Sequence, residues 1–301
     1  MNNLEFDHAD IFRDLADVQR TFAHLSRIVP RSGCVVLNAD DENLRALGPM
    51  PWTRVVRVGT SADADVQLAD FSEHPSGVMF RLLWRGAEWG SVRWMQPGLY
   101  NARNAAMAAT AAGLALASGP DPRAPIAESP TALSLAGLAS FRGVKRRQEI
   151  LFASDRLTVI EDFGHHPTAL AETMRSFRAR FPGATLTAVF EPRSNTARTK
   201  ALQPAFTSAL ALADEVYIGA VNRADKLSAD ERFDAEAVAQ KLNMQGVSAR
   251  HAATNAALLE RMVTETLGSA ATKRVVVFFS NGSFDGIIAE YAKRAAVASP
   301  S

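Results

Sequence analysis

The spacing of apolar residues changes near residue 140. Beyond that point, short runs rich in Val, Ile and Phe alternate with stretches in which apolar residues recur every three or four positions. The runs predict buried strands and the stretches predict amphipathic helices. The predicted strands are residues 157–161, 186–190, 216–220 and 275–279, and the predicted helices are residues 169–181, 200–213, 234–242 and 255–267. This alternation is typical of right-handed crossovers and a mostly parallel sheet covered on both faces.

The first part of the chain has a more mixed pattern. Apolar positions three or four apart predict a one-faced helix over residues 10–29. A short buried strand is predicted at 34–37, followed by the turn Asn38-Ala-Asp-Asp41. Several short strands are predicted over 52–95, including a hairpin around Gly86 and Gly90. An Ala-rich helix over 101–117 and a polar loop over 118–130 follow. The change of pattern near 140–145 predicts two α/β domains, residues 1–140 and 141–301.

Composition and charge narrow the class of protein. Hydrophobic residues make up 47% and charged residues 22%, which is enough to form buried cores. The formal net charge of +1 argues against nucleic acid or an anionic membrane as a partner. A single cysteine, Cys34, excludes an internal disulfide and fits a reducing compartment. With no long apolar run and no signal-peptide pattern, we expect a cytoplasmic protein without a stable protein partner.

Polar residues follow each of the four predicted strands of the second domain. They are residues 161–167, 191–196, 222–223 and 280–283. Ligands of open parallel sheets bind outside the carboxyl ends of the strands. Any one of these ends is also explained as a capped helix start, but four together favour a site for an anionic or peptidic ligand.

Several of these side chains have two interpretations. Asp162 could accept hydrogen bonds from a ribose diol, or it could cap a helix or form an ion pair. His165 and His166 could bind phosphate or a metal, but adjacent residues face different ways, so at most one is expected to act. Arg193 could clamp a carboxylate bidentately or be solvated. The run Lys145-Arg146-Arg147 is either a solvated hinge or a surface for a triphosphate.

A second candidate site lies near the start of the chain. His8 and Asp10 lie just before or at the predicted helix start. A neutral imidazole with nearby carboxylates could hold a hard cation if ATP phosphates complete its shell. The alternative is that Asp7 or Asp10 simply caps the helix.

Five motifs resemble the Mur ligase family in order and spacing, over essentially the whole chain. They are Asn3-x-x-x-Asp7-His8-x-Asp10, Asn38-Ala-Asp-Asp41, Pro97-Gly-Leu-Tyr-Asn101-Ala-Arg-Asn104, Phe141-x-Gly-Val-x-x-Arg147-x-Glu149 and Asp162-Phe-Gly-His-His-Pro167. The resemblance implies part of the central ATP-binding domain over 1–140 and a Rossmann-like C-terminal domain with a mostly parallel sheet over 141–301.

The resemblance also implies ATP and Mg²⁺ as cofactors of an amide ligase, gathered with a peptide in one crevice between the domains. His8 would hold Mg²⁺, and His8, Arg147 and His165 would be catalytic. Asn101 and Asn104 would lie at the adenine side, with Arg147 and Asp162 on ribose and phosphates. The residues implied to face the incoming peptide are Arg193, Ser194, Asn195, Thr196, Ser280, Asn281 and Gly282.

Within the family, residues 4–12, 191–196 and 280–284 resemble most the branch that joins UDP-N-acetylmuramate to the recycled tripeptide L-alanyl-γ-D-glutamyl-meso-diaminopimelate. The alternatives are the branch that adds L-alanine to UDP-N-acetylmuramate, and a non-catalytic remnant that binds peptide or nucleotide. An unrelated dehydrogenase is a poor fit, because no Gly-x-Gly-x-x-Gly follows any predicted strand.

The sequence departs from the family pattern in its phosphate loop. It contains no Gly-rich loop ending in Lys-Ser or Lys-Thr, and no lysine precedes Lys145. The helix predicted over 10–29 therefore offers no lysine for carbamylation, which some relatives use as a metal bridge. We expect the chain to begin partway through the central domain, to lack the domain that binds the UDP-sugar, and to show no turnover by itself.

Overall fold

The computed structural model describes residues 1–121, 123–268 and 272–298. The chain divides into two compact units, Met1–Arg142 and Gly143–Ser301. Each unit is built around its own β-sheet, which confirms the predicted α/β class. In the described ranges, no helix is long and apolar enough to cross a membrane. Of the loop predicted over 118–130, residue 122 lies outside the described residues.

The sheet of the first unit has five strands in the order β1-β2-β3-β4-β5. The strands are β1 Cys34–Asn38, β2 Arg54–Gly59, β3 Val66–His74, β4 Gly77–Trp84 and β5 Ala87–Trp94. Strands β1 to β3 pair in parallel, and β3 to β5 pair antiparallel. The helices are α1 Leu15–Arg27, α2 Glu42–Arg45, α3 Leu99–Ala117 and α4 Ala136–Ala139. The Ala-rich α3 packs on the sheet through small side chains.

The predicted hairpin is confirmed by β4 and β5. Its turn is Arg85-Gly86, and both residues have positive φ, +50° and +82°. Two-residue turns of this kind match the twist of the flanking strands, and glycine adopts them without steric cost. Gly90 lies inside β5 next to a register shift, so it is part of the strand and not of the turn.

The predicted start of the first helix is wrong. Helix α1 begins at Leu15, and the side chain of Asp14 caps it by accepting from the backbone N–H of Asp17 at 2.8 Å. Neither Asp7 nor Asp10 is the cap. Ile11 extends the apolar spacing toward residue 10, but it is 68% exposed and precedes the helix.

The second unit carries a six-stranded sheet in the order β10-β9-β8-β11-β7-β6. The strands are β6 Glu149–Ala153, β7 Leu157–Asp162, β8 Thr185–Phe190, β9 Glu215–Ile218, β10 Ser248–His251 and β11 Arg274–Phe279. All neighbours pair in parallel except β6, which runs antiparallel to β7 at one edge. The helices are α5 Pro167–Arg180, α6 Gln203–Leu210, α7 Ala235–Met244, α8 Asn255–Thr266 and α9 Ile287–Ala298.

The four strands predicted for this unit are confirmed, and β6, β10 and α9 are additional elements. Helices α5, α6 and α7 contribute to the core on one side of the sheet, and α8 and α9 contribute to a second core. Strand β11 is buried along its whole length between β7 and β8. Its last residue, Phe279, pairs with Asp162 of β7 and with Phe190 of β8, so the three strands end at the same level.

Gly113 is required for packing, and we expect Gly113→Ala to destabilise the first unit by about 1–3 kcal/mol. Alanine normally favours a helix interior over glycine by roughly 1 kcal/mol. At this position in α3, however, a Cβ would overlap the backbone carbonyl oxygen of Pro130. Tryptophan fluorescence in a urea titration measures the effect, because all four tryptophans of the chain lie in this unit.

The matched control is Gly137→Ala in α4, where a Cβ meets no atom within 4 Å. This variant should leave the urea midpoint unchanged or raise it slightly. Equal midpoints for the two variants would contradict the packing role of Gly113.

Candidate functional site

The carboxyl ends of β7, β8 and β11 form one edge of the second sheet. Main-chain hydrogen bonds continue past the strands: Ser280 N–H donates to Asp162 O and Glu191 N–H to Phe279 O, both at 3.1 Å. The residues immediately after each strand are therefore held side by side. This is the edge at which parallel sheets bind ligands.

A buried carboxylate organises part of this edge. Glu191 is 1% exposed; one oxygen accepts from the Arg193 guanidinium at 3.2 Å and the other accepts from the Ser280 hydroxyl. The Gly282 N–H donates to the same hydroxyl oxygen at 2.9 Å. The Arg193 side chain lies against Gly282, where any Cβ would overlap it. The structure therefore brings together the predicted residues Arg193, Ser280 and Gly282.

Glu191 received no role from the sequence, although it is the residue that joins these groups. A buried charge is tolerated only when it is paired and hydrogen-bonded. The available signal was an acidic residue placed directly after a strand that is almost fully buried and ends in Ala-Val-Phe190.

The other predicted peptide-facing residues lie in the same two loops. Ser194 Oγ accepts from Ala197 N–H at 3.0 Å and so orders the turn after β8. Thr196 is buried and Asn195 is exposed. The side-chain oxygen of Asn281 is buried, and within the described part of the chain it has no hydrogen-bond partner. These placements leave the peptide contacts of the four residues as predictions.

Asp162 is buried, and both of its oxygens accept from backbone N–H groups. Gly164 donates to Oδ1 at 2.6 Å and Gln148 donates to Oδ2 at 3.2 Å. Burial raises the pKa of Asp162 above its ordinary value, although these two bonds and the charge of Arg147 act in the opposite direction. Asp162 thus ties the segment before β6 to the loop after β7, and its contact with ribose stays a prediction.

The two histidines have different local roles. His166 is the N-cap of α5, and its Nδ1 accepts from Thr168 N–H at 3.4 Å, which fits the expectation that one of the pair is satisfied by local backbone. His165 Nδ1 lies 3.1 Å from the carbonyl oxygen of Phe163, and its ring meets the Phe163 ring edge-on. Its contact with phosphate stays a prediction.

The adjacent side chains of Arg146 and Arg147 both lie close to the ring of Phe163, but they differ in exposure to solvent. Each guanidinium carbon lies 5.0 Å from the centroid of Phe163. Arg146 is half-buried and donates to Glu161 at 2.6 Å, whereas Arg147 is exposed. Strand β6 runs antiparallel to β7, with Glu149 opposite Glu161, so the chain before β6 lies beside the end of β7. This explains how both arginines reach the edge formed by the carboxyl ends of β7, β8 and β11.

In the first unit, Asn104 lies at the carboxyl end of β1. The chain start runs parallel to β1, with the Met1 amino group donating to Val36 O at 2.7 Å and Asn38 N–H to Met1 O at 3.0 Å. Asn2 then donates to the side-chain oxygen of Asn104 at 2.5 Å.

Two further residues of α3 have polar partners in this unit. Arg103 forms an ion pair with Asp40 at 3.1 Å, just after β1. Asn101 donates to Pro97 O at 2.7 Å, within the segment that begins α3. The contacts of Asn101 and Asn104 with adenine stay predictions.

His8 lies in an exposed turn with φ +55°, and its N–H donates to Asp7 Oδ1 at 2.7 Å. Among the described residues, no group of three or more His, Cys, Asp or Glu side chains is arranged to hold a metal. The protein groups described here therefore do not form a complete cation site, and the Mg²⁺ role of His8 stays a prediction.

Comparison with known proteins agrees with this organisation. The sequence profile of the Mur ligase middle domain matches residues 1–112, and that of the Mur ligase glutamate ligase domain matches residues 146–282. The chain belongs to the Mur ligase family, and it carries the middle and C-terminal domains of that family. Members of this family are ATP-dependent ligases.

Two named relatives represent different branches. The UDP-N-acetylmuramate–L-alanyl-γ-D-glutamyl-meso-2,6-diaminoheptandioate ligase of Escherichia coli K12 is 36% identical over 72% of this chain and 45% of its own length. The UDP-N-acetylmuramate–L-alanine ligase of Desulfosudis oleivorans is 31% identical over 82% of this chain and 51% of its own. The chain thus spans about half the length of the relatives it matches.

A solved structure shows the same fold. The crystal structure of UDP-N-acetylmuramate–alanine ligase from Thermotoga maritima aligns with a TM-score of 0.69 and 22% sequence identity. The alignment covers 99% of this chain and 59% of that one. Both predicted parts of the family fold are therefore present.

The raised pKa of Asp162 predicts a pH-dependent difference in stability from Asp162→Asn. Burial disfavours the ionised side chain, so the wild type should lose stability relative to this variant as the pH rises from about 4 through the raised pKa. Below that window both side chains are neutral and the difference should be constant. Urea unfolding followed by circular dichroism at several pH values measures it.

All other titrating groups are shared by the two proteins, so their difference isolates Asp162. Tryptophan fluorescence, which reports the first unit, is the internal control and should show no such trend. A difference that stays flat from about pH 3 to about pH 8, or that grows in favour of the wild type, would contradict the assignment.

Proposed function

We propose that this chain supplies the nucleotide- and acceptor-binding part of a ligase that joins UDP-N-acetylmuramate to L-alanyl-γ-D-glutamyl-meso-diaminopimelate during peptidoglycan recycling. The supporting observation is the position of the Arg193 side chain, which donates a hydrogen bond to the buried Glu191 and lies against Gly282. Asp162 and Arg147 lie at the carboxyl end of β7 in the same sheet, which supports nucleotide and acceptor sites close together.

The proposed chemistry is phosphoryl transfer followed by amide formation. ATP phosphorylates a substrate carboxylate, which gives an acyl phosphate and ADP. The acceptor amine attacks the carbonyl carbon, the C–N bond forms, phosphate leaves and the amine loses a proton. The protein contributes position and charge neutralisation, and the exposed Arg147 and the partly exposed Arg193 suit that role.

In this proposal, Asn101 and Asn104 hold the adenine side of ATP, and Arg147, Asp162 and His165 lie near ribose and phosphates. His8 would hold a Mg²⁺ ion, and the ion would neutralise charge on the phosphates. The reaction takes place in the cytoplasm, where ATP and UDP-linked sugars are present.

The tripeptide is favoured over free alanine as the acceptor by two observations. The E. coli tripeptide ligase is 36% identical to this chain, whereas the D. oleivorans alanine ligase is 31% identical. Arg193 donates to Glu191 through one nitrogen of its guanidinium, which leaves its other N–H groups to donate to a substrate carboxylate. The tripeptide has several carboxylates. The alternative is part of a UDP-N-acetylmuramate–L-alanine ligase, supported by the longer stretch over which that identity holds.

Calorimetry with the purified chain tests the proposal. We expect ADP and the tripeptide to bind, and the tripeptide to bind at least about tenfold more tightly than L-alanine. Arg193→Gln should weaken tripeptide binding by a factor of roughly ten or more and leave ADP binding unchanged, because it removes a charge-assisted contact.

The matched control is Arg156→Gln, an exposed arginine in the turn between β6 and β7, at the opposite end of β7. It should bind both ligands as the wild type does. Preference for alanine would favour the alternative ligase, and binding of neither ADP nor peptide would indicate a remnant without ligand.

We further propose that the 301-residue chain alone shows no ligase turnover. Its sequence offers no Gly-rich loop with lysine to hold the β- and γ-phosphates. An assay with ATP, UDP-N-acetylmuramate and tripeptide should give no ADP above background. ATP-dependent formation of the amide product by the purified chain would refute this expectation.

A further inference from the structure

Arg146 makes more contacts at the ligand-binding edge than the neighbouring Arg147. Its guanidinium donates to Glu161 at 2.6 Å, to Ser280 O at 3.0 Å and to Gly282 O. Its own backbone is also fixed, since its N–H donates to Glu149 at 2.7 Å and its carbonyl accepts from Phe163 N–H at 2.7 Å. One side chain therefore connects the segment before β6, the end of β7 and the loop after β11.

The loop after β11 needs such an anchor. Phe284, Asp285 and Gly286 are three consecutive residues with positive φ, +49°, +49° and +82°. Non-glycine residues in this region are strained, and they persist only where the surroundings hold them. Asn255 holds the far side of the loop by donating to Asp285 at 2.7 Å, and the fully buried ring of Phe284 fills the space beside Gly219.

Arg146 holds the near side of this loop through two carbonyl oxygens. The amide of Gly282 and the Arg193 side chain that lies on Gly282 both depend on where the loop stands. A shift of the loop would therefore displace Arg193 from its place beside Glu191.

We propose that Arg146 is a positioning residue that fixes the loop 280–282, and through Gly282 the guanidinium of Arg193, for the acceptor peptide. This inference rests on the proposed function for its ligand, but not for its structural part. The adjacent arginines then have different roles, because Arg147 faces the nucleotide and Arg146 sets the geometry of the acceptor side.

The test compares Arg146→Gln and Arg146→Lys with a matched control. Arg178 also donates to a carboxylate, Asp214 at 2.9 Å, and to a main-chain carbonyl, Leu212 O at 3.2 Å. Asp214 lies just before β9, at the opposite end of the sheet. Arg178→Gln therefore removes a similar set of bonds away from the proposed site.

Two readouts are measured on the whole chain: hydrogen exchange of the Ser280 and Gly282 amides, and calorimetric affinities for tripeptide and ADP. Arg146→Gln should speed exchange of these amides by roughly tenfold or more, because bonds to a charged donor are lost. It should weaken tripeptide binding by a similar factor and ADP binding much less. Arg146→Lys keeps one charged donor, so its exchange rates and tripeptide affinity should lie between those of the wild type and Arg146→Gln. Arg178→Gln should change neither the exchange rates nor the affinities.

Equal exchange rates and tripeptide affinities in Arg146→Gln and Arg178→Gln would overturn the inference. So would faster exchange in Arg146→Gln with unchanged tripeptide affinity, since Arg146 would then act on stability alone. If the wild type binds no tripeptide, the proposed function fails. In that case the exchange comparison decides whether Arg146 fixes the loop.

Discussion

The parallel pairing of β11 with both β7 and β8 is the constraint on which the site depends. Phe279 stands opposite Asp162 on one side and Phe190 on the other, so three strands stop at one level. Asp162 ends β7, Glu191 directly follows β8, and Ser280 directly follows β11. A shift in the register of β11 would separate Ser280 from Glu191, and the cluster could not form.

The buried carboxylates at this edge are each hydrogen-bonded, which explains how they can lie close together in the interior. Glu191 is almost fully buried, yet it receives hydrogen bonds from a guanidinium and from a hydroxyl. Asp162 receives two backbone bonds, and Arg146 offsets the charge of Glu161. Removing one partner leaves a charge without compensation, so the edge is sensitive to single substitutions even though each bond is modest.

The sequence allowed the buried strands to be predicted but not the edge strands. Apolar runs mark β7, β8, β9 and β11, because both faces of these strands are covered. The edge strand β10 has no apolar run that would identify it. Strand β6 contains the apolar residues Ile150 to Ala153, but it is only partly buried and was not predicted. The predicted start of α1 is wrong because Ile11 continues the helical spacing beyond the true cap at Asp14.

Candidate site residues could be chosen from the positions directly after each strand, and this rule places Arg193, Ser280 and Gly282 together. The rule includes Glu191, which directly follows β8, but it does not reveal the bond of Glu191 to Ser280, 89 residues away. It could not assign Arg146, whose partners are distant in sequence. Arg146 reaches a carbonyl 134 residues away, a relation that local patterns do not contain. It also could not distinguish Arg146 from Arg147, which are chemically identical but differ in burial.

The position of β11 in the sheet has a consequence for the order in which the second unit is made. Strands β7 and β8 are synthesised first but do not pair with each other. Each pairs with β11, which comes much later in the chain and lies between them. Long-range pairing of this kind closes large loops and is slow. During translation, the half-sheet therefore waits with two unpaired central edges, a state that favours misassembly. The edge that carries Asp162, Glu191 and Ser280 is completed only when β11 is available for pairing.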